Sequence, residues 1–279
     1  MMAGIHLDLD SAWPSGDLPM PTLDARNWGP RLRYCAPARI VESFFDQVHT
    51  QLADFVLYGS GDFHYLAALW LRRIRETATV VSFDNHPDWD VRPPRWGCGG
   101  WVNRALELRQ VERVCVWGCG NFELAWPSRL FANHCALKSG KLEVHAWAER
   151  QQPPTQRRFD CMRRENWRGR FARWAESLAG KAAYVTIDLD CLSEDQAVTN
   201  WESGLFTADD LLWALDHLRS RARIVGGDMC GACSPPIYSR WTQRFVGKWD
   251  HPKTPPVDLV VAQHTNQIAL SRLWPKLTG

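Results

Sequence analysis

Short β-branched or aromatic runs alternate along this chain with longer stretches whose apolar residues recur every three to four positions. Residues 4–9, 55–59, 79–84, 113–118, 142–146, 183–188 and 223–227 read as strands. Residues 40–52, 65–76, 100–108, 163–178, 208–220 and 258–273 read as helices. Strand followed by helix, repeated, predicts right-handed crossovers and a parallel sheet covered on both faces. The predicted fold class is therefore α/β. A chain of 279 residues can bury one substantial core, and a single domain over residues 1–279 accounts for the pattern. The arginine-rich stretch 149–170 is expected as an exposed insertion, and the Pro-rich stretch 251–256 as a break before the last helix.

Two of these strands run straight into acid clusters. Thr79-Val80-Val81-Ser82-Phe83 leads into Asp84-Asn85-His86-Pro87-Asp88, and Ala182 to Ile187 leads into Asp188-Leu189-Asp190. Alternate residues of an extended chain point the same way, so continued extension brings Asp84, His86 and Asp88 to one point. Strand C-termini are where open parallel sheets build their sites. So many carboxylates in one place resist ionisation unless cations neutralise them. Carboxylates with imidazole suit a hard or borderline divalent metal better than a core. A capping role for each aspartate is the plainer reading of either cluster alone.

Composition narrows the field. A net charge of +2 gives no general reason to expect nucleic acid or an anionic membrane as partner. No apolar run has the length of a membrane span, and no signal peptide is evident, so a cytoplasmic location is expected. Nine scattered cysteines fit reduced thiols better than a disulfide framework. Cys230-Gly231-Ala232-Cys233 reads as a tight turn ahead of a redox or zinc site, because no second pair accompanies it.

With both clusters placed, the chain resembles the ureohydrolases, the arginase and agmatinase family. That family pairs an Asp-x-His-x-Asp strand end with a later Asp-x-Asp, matched here by Asp84 to Asp88 and by Asp188-Leu189-Asp190. Its upstream Gly-Gly-Asp-His element is matched, with one inserted residue, by Gly59-Ser60-Gly61-Asp62-Phe63-His64. The resemblance implies a three-layer α/β/α arginase-like fold on a central, mainly parallel sheet of about eight strands. It implies two divalent ions, manganese by family habit, bridged by Asp84 and Asp188. His64 and Asp88 would complete one ion, His86 and Asp190 the other. It further implies a metal-bridging hydroxide that attacks a guanidino, amidine or amide carbon of a small-molecule substrate, and a homo-oligomer, trimer or hexamer. A deacetylase-like amide hydrolase of the same superfold and a non-catalytic, metal-stabilised binding protein are the alternatives.

The departures from the family concern substrate. The glutamate that pairs with guanidinium falls near Gly231, and Gly97-Cys98-Gly99-Gly100 stands where a histidine-glycine element offers a proton shuttle. Substrate contacts are therefore sought elsewhere. Arg92 and Arg95 could clamp a carboxylate, Cys98 and Asp228 lie near the expected site, and Asp8 and Asp10 end the first strand. Trp89, Trp96 and Trp101 are expected to give the pocket an aromatic wall.

Overall fold

The structure is a computed structural model that describes residues 4–14, 16, 18–252 and 257–279. Residues 253–256, most of the expected Pro-rich break, lie outside the described residues.

Eight strands form one sheet: β1 (Gly4–Asp8), β2 (Thr22–Asp24), β3 (Phe55–Tyr58), β4 (Ala78–Phe83), β5 (Val111–Cys119), β6 (Leu142–Ala146), β7 (Ala182–Asp188) and β8 (Arg223–Cys230). Their order is β2-β1-β3-β8-β7-β4-β5-β6, and every pairing is parallel. The sequence patterning lacks β2. That strand has three residues at the sheet edge with neither end buried, so it carries no apolar run to betray it.

The sheet is buried on both faces because its strands are apolar at both parities. Val80, Val114, Val116 and Tyr184 belong to one core, with Val41, Phe44 and Val48 of helix Ala38–Val48. Val81, Phe83, Cys115, Val185 and Ile187 belong to the other, with Phe171, Leu211, Leu215, Leu270 and Leu273 from three helices (Trp167–Glu176, Ala208–Arg219 and Leu259–Thr278). Helices on each side of a parallel sheet make the three-layer α/β/α arrangement.

Two local expectations change. The predicted helix over 65–76 is broken into a 3-10 turn Gly61–Leu66, a short helix Ala67–Trp70 and a second turn Leu71–Arg73. The stretch 149–170 is not a free insertion. Met162 is buried and Ala148 N–H donates to its carbonyl, while Arg164 and Arg168 both pair with the buried Asp210.

Sequence order explains where the site falls. β3 and β4 follow one another in sequence but are separated in the sheet by β8 and β7, and all four strands run parallel, so the carboxyl ends of β3, β8, β7 and β4 lie side by side.

Candidate metal centre

Strand β4 stops at Phe83, and Asp84 to Asp88 is loop, so the expected continuous extension does not occur. Convergence is reached by other means. His86 N–H donates to Asp84 Oδ1 at 2.7 Å, an Asx turn that folds the loop back. Asp88 then takes a left-handed backbone at φ 45°, which returns its carboxylate toward β3. In register with this end, β7 pairs Ile187 with Phe83 and β8 pairs Cys230 with Asp188.

The side chains gather in two triads that share Asp84. His64, Asp84 and Asp88 form one, and Asp84, His86 and Asp190 form the other. His64 Nδ1 lies 3.1 Å from Asp84 Oδ2, 3.4 Å from Asp88 Oδ2 and 3.5 Å from Asp188 Oδ2. His86 Nδ1 lies 2.8 Å from Asp190 Oδ2 and 3.6 Å from Asp84 Oδ1. The sequence-selected residues His64, Asp84, His86, Asp88, Asp188 and Asp190 therefore meet in one spot, all buried but the half-buried His86.

Each imidazole is held by its other nitrogen, through residues that the sequence reading missed. His64 Nε2 sits 2.9 Å from Thr186 Oγ1, and the Thr186 hydroxyl donates to Asp228 Oδ1 at 2.7 Å. That hydroxyl proton is committed to Asp228, so Thr186 Oγ1 accepts from His64 Nε2–H. Nδ1 is then the nitrogen that faces the carboxylates, and its lone pair becomes available to a cation once its own proton leaves. His86 Nε2 likewise faces Glu202 Oε2 at 3.3 Å. Thr186 was legible, since it lies two residues before Asp188 on the same side of β7. Glu202 was not, because it comes from an irregular loop.

Electrostatics describe a cluster short of positive charge. Burial pushes Asp188 up to about 8, and pushes Asp88 and Asp190 up to about 6, with neighbouring carboxylates adding to the effect. Burial draws His64 and His86 down, yet the surrounding aspartates outweigh it and hold both imidazoles well above their usual value. Asp84 Oδ2 is buried without a hydrogen-bond partner. A buried oxygen without a partner, beside imidazole nitrogens and further carboxylates that lack any fixed counter-charge, fits a divalent cation of the hard or borderline kind.

Gly231 lets β8 approach this cluster. Its φ is +104°, and a Cβ there would lie 2.2 Å from Asp188 Oδ1 and 2.6 Å from Leu189 N. The Cys230-to-Cys233 segment is thus a close turn against the site. Cys230 is an un-ionised thiol that donates to Asp188 Oδ2 at 3.5 Å, and all nine cysteines are free.

Other expectations fare differently. Cys98 lines the crevice over the triads, together with Gly99, Glu123, Trp201 and Asp250. Asp228 does not reach the crevice; it is fully buried behind His64, accepting from Thr186, Tyr58 and Tyr184. Arg95 pairs with Glu107 at 2.7 Å with its side chain 65% exposed, away from the crevice lining. Arg92 is tied to Asp90 and lies over the Phe131 ring, so it offers no free fork to a substrate carboxylate. Asp8 accepts from Ser11 N–H, and Asp10 accepts from Ser60 N–H, Ser234 Oγ and Arg33; neither lines the crevice. Trp89, Trp96 and Trp101 are buried packing residues, Trp101 lying 4.9 Å from the His64 ring, and Trp201 supplies the aromatic wall instead.

Beneath the rim runs a buried brace. Arg33 Nε donates to Asp62 Oδ2 at 2.6 Å and Arg33 also meets Asp10 at 3.3 Å, while His251 Nε2 lies 2.5 Å from Asp62 Oδ1. With Tyr34 Oη donating to Asp250 Oδ2 at 2.7 Å, these contacts pin helix Trp241–Asp250 beside the crevice.

No protein-family model matches the chain. A protein of uncharacterised function from Thermotoga maritima is 27% identical over 178 residues, a match covering 63% of this chain and 57% of that protein. Among solved structures, proclavaminate amidino hydrolase from Streptomyces clavuligerus superposes with a TM-score of 0.58 at 12% identity, covering 100% of this chain and 92% of its own. Formimidoylglutamase from Bacillus subtilis gives 0.53 at 16% identity, covering 96% and 87%. A triple mutant of an arginase-like protein from T. brucei, bound with Mn2+, gives 0.51 at 14% identity, covering 98% and 90%. The resemblance carried by the sequence motifs extends to the whole architecture: the chain has the arginase-like fold of the ureohydrolases and is, at these identities, a divergent representative of it.

Proposed function

We propose that this chain is a metal-dependent hydrolase that cleaves a C–N bond of a guanidino, amidine or amide substrate at a binuclear centre, with manganese as the metal. The observation that carries the reading is the pair of triads sharing Asp84, with Asp188 against His64 of one and accepting from the Asp190 N–H of the other. In this reading His64, Asp84, His86, Asp88, Asp188 and Asp190 would hold the two ions, with His64 and Asp88 nearer one and His86 and Asp190 nearer the other. When bound, such a pair of ions supplies Lewis acidity and acidifies water near neutral pH.

The chain's own groups do the rest. Thr186 and Glu202 keep the Nε2 protons in place and so present both Nδ1 atoms inward. The crevice walls add carboxyl groups from Glu123 and Asp250 and an indole from Trp201, an environment suited to a cationic or strongly polar nitrogen head. Burial pushes Glu123 up to about 8, and an arriving cation would draw its proton off.

The test is metal stoichiometry together with product release. Two divalent ions per chain are expected, with urea, ammonia or amine freed from a guanidino, amidine and amide panel. Asp84→Ala and Asp188→Ala should each abolish both. Full loading with no product from any member of the panel defeats the enzymatic reading and favours a metal-stabilised binding protein. A single zinc with amide cleavage alone favours the deacetylase-like one.

A further inference from the structure

The crevice over the triads is small, about 30 Å3, which on this measure admits two or so water-sized groups. It adjoins a chamber about ten times larger, of about 310 Å3, and the two share Cys98, Gly99, Glu123 and Asp250 as walls. Two ions held by the triads would take up the inner space, so a reacting head must lie at its mouth, between the shared walls Glu123 and Asp250, and whatever carries that head must occupy the outer chamber.

The outer chamber has a distinct chemistry. Its far walls come from Tyr34, the Pro93-Pro94 pair, Val246 and Trp249, and Trp249 is 79% exposed. Its sole basic residue among the described lining is Arg92, already neutralised by Asp90 through Nε at 2.9 Å and stacked on Phe131. A free amino acid would bring an α-carboxylate into this space. It would find the Asp250 carboxylate there and, among the described lining, no unpaired cation to hold it, an arrangement that disfavours it. An uncharged body instead meets proline rings and an indole.

We infer that the substrate of this site is a mono-substituted guanidinium or amidinium whose substituent is bulky and carries no free carboxylate. The cationic head lies between Glu123 and Asp250, and the body lies in the outer chamber against Trp249, Val246 and the Pro93-Pro94 turn. This inference rests on the proposed hydrolase reading for the identity of the head and goes beyond it in specifying the body.

The experiment compares two probes with the same head on the full-length, manganese-loaded chain: free arginine, and arginine blocked as its N-benzoyl amide. Binding is read by calorimetry and by quenching of tryptophan fluorescence, and cleavage is read by urea release. The blocked probe should bind at least ~10-fold more tightly than free arginine, the scale of one well-buried aromatic contact. In Trp249→Ala that ratio should shrink to within ~2-fold with no loss of melting temperature, because the indole is largely solvent-facing. Free arginine binding as well as or better than the blocked probe overturns the inference, as does an unchanged ratio in Trp249→Ala or the binding of neither probe. The blocked-probe preference without urea from either probe leaves the inference standing and counts against the hydrolase reading. Urea from free arginine in preference to the blocked probe does the reverse.

Discussion

His64 and Thr186 are joined by a 2.9 Å contact between Nε2 and Oγ1, and that contact decides which imidazole nitrogen faces the carboxylate cluster. The Thr186 hydroxyl is spent on Asp228, which also accepts from Tyr58 and Tyr184, so three hydroxyls fix one buried carboxylate and, through it, the His64 tautomer. Replacing Thr186 by valine keeps the shape and removes the acceptor. Metal affinity measured by calorimetry should fall by ~10- to 100-fold, the usual effect of losing a group that orients a ligand. Unchanged affinity would show that His64 does not hold an ion through Nδ1.

The metal-free chain should lose stability as pH rises. Asp188 is raised to about 8, and Asp88 and Asp190 to about 6, above the value of roughly 4 expected for an unfolded aspartate. The folded state therefore binds more protons than the unfolded one. That contribution is complete below pH ~4 and is lost as pH climbs through ~6 to ~8. Melting temperatures taken in chelator should fall over this window, and saturating divalent metal should remove the fall. A metal-free melting temperature that rises steadily over the same range contradicts the assignment.

Asp188→Asn should separate folding from metal binding. The substitution keeps the side-chain volume and removes a buried charge from beside Asp84 and Asp190, so the metal-free variant should melt higher than wild type near pH 8. Its stabilisation by added metal should largely disappear. A variant that is less stable without metal yet gains as much from manganese as wild type does would refute the placement.

Gly231→Ala puts a methyl group 2.2 Å from Asp188 Oδ1 at a φ of +104°. The strain is on the order of 1–3 kcal/mol for the backbone alone, and relief by moving Asp188 should weaken metal binding as well. Both losses are expected together, read by denaturant unfolding and calorimetry. Normal metal affinity in this variant would show that the turn does not shape the cluster.

Arg33→Met tests the brace under the rim. The guanidinium is 1% exposed and bridges Asp10 and Asp62, so its loss strands two carboxylates and should cost about 3–5 kcal/mol. Urea unfolding measures this. A cost under ~1 kcal/mol would mean that His251 and Ser234 alone satisfy those carboxylates.

The sequence by itself determined the alternation of strand and helix, and it determined that Asp84, His86 and Asp88 follow one strand and Asp188 and Asp190 another. Buried parallel strands are mostly apolar and carry no charge within the run, so a carboxylate at their end stands out against what precedes it. Tertiary structure decided what those residues face. The insertion of β8 and β7 between β3 and β4 brings His64, Asp84 and Asp188 together, and no local pattern encodes that strand order. The same holds for Glu123, Trp201 and Asp250, which reach the crevice from irregular segments or a helix end, and for Glu202, which reaches His86 from a loop. It holds in reverse for Arg95 and Asp228, whose partners draw them away from it. Side-chain periodicity is a property of neighbours along the chain, whereas the charge and shape of a crevice come from segments that meet only once the sheet has formed.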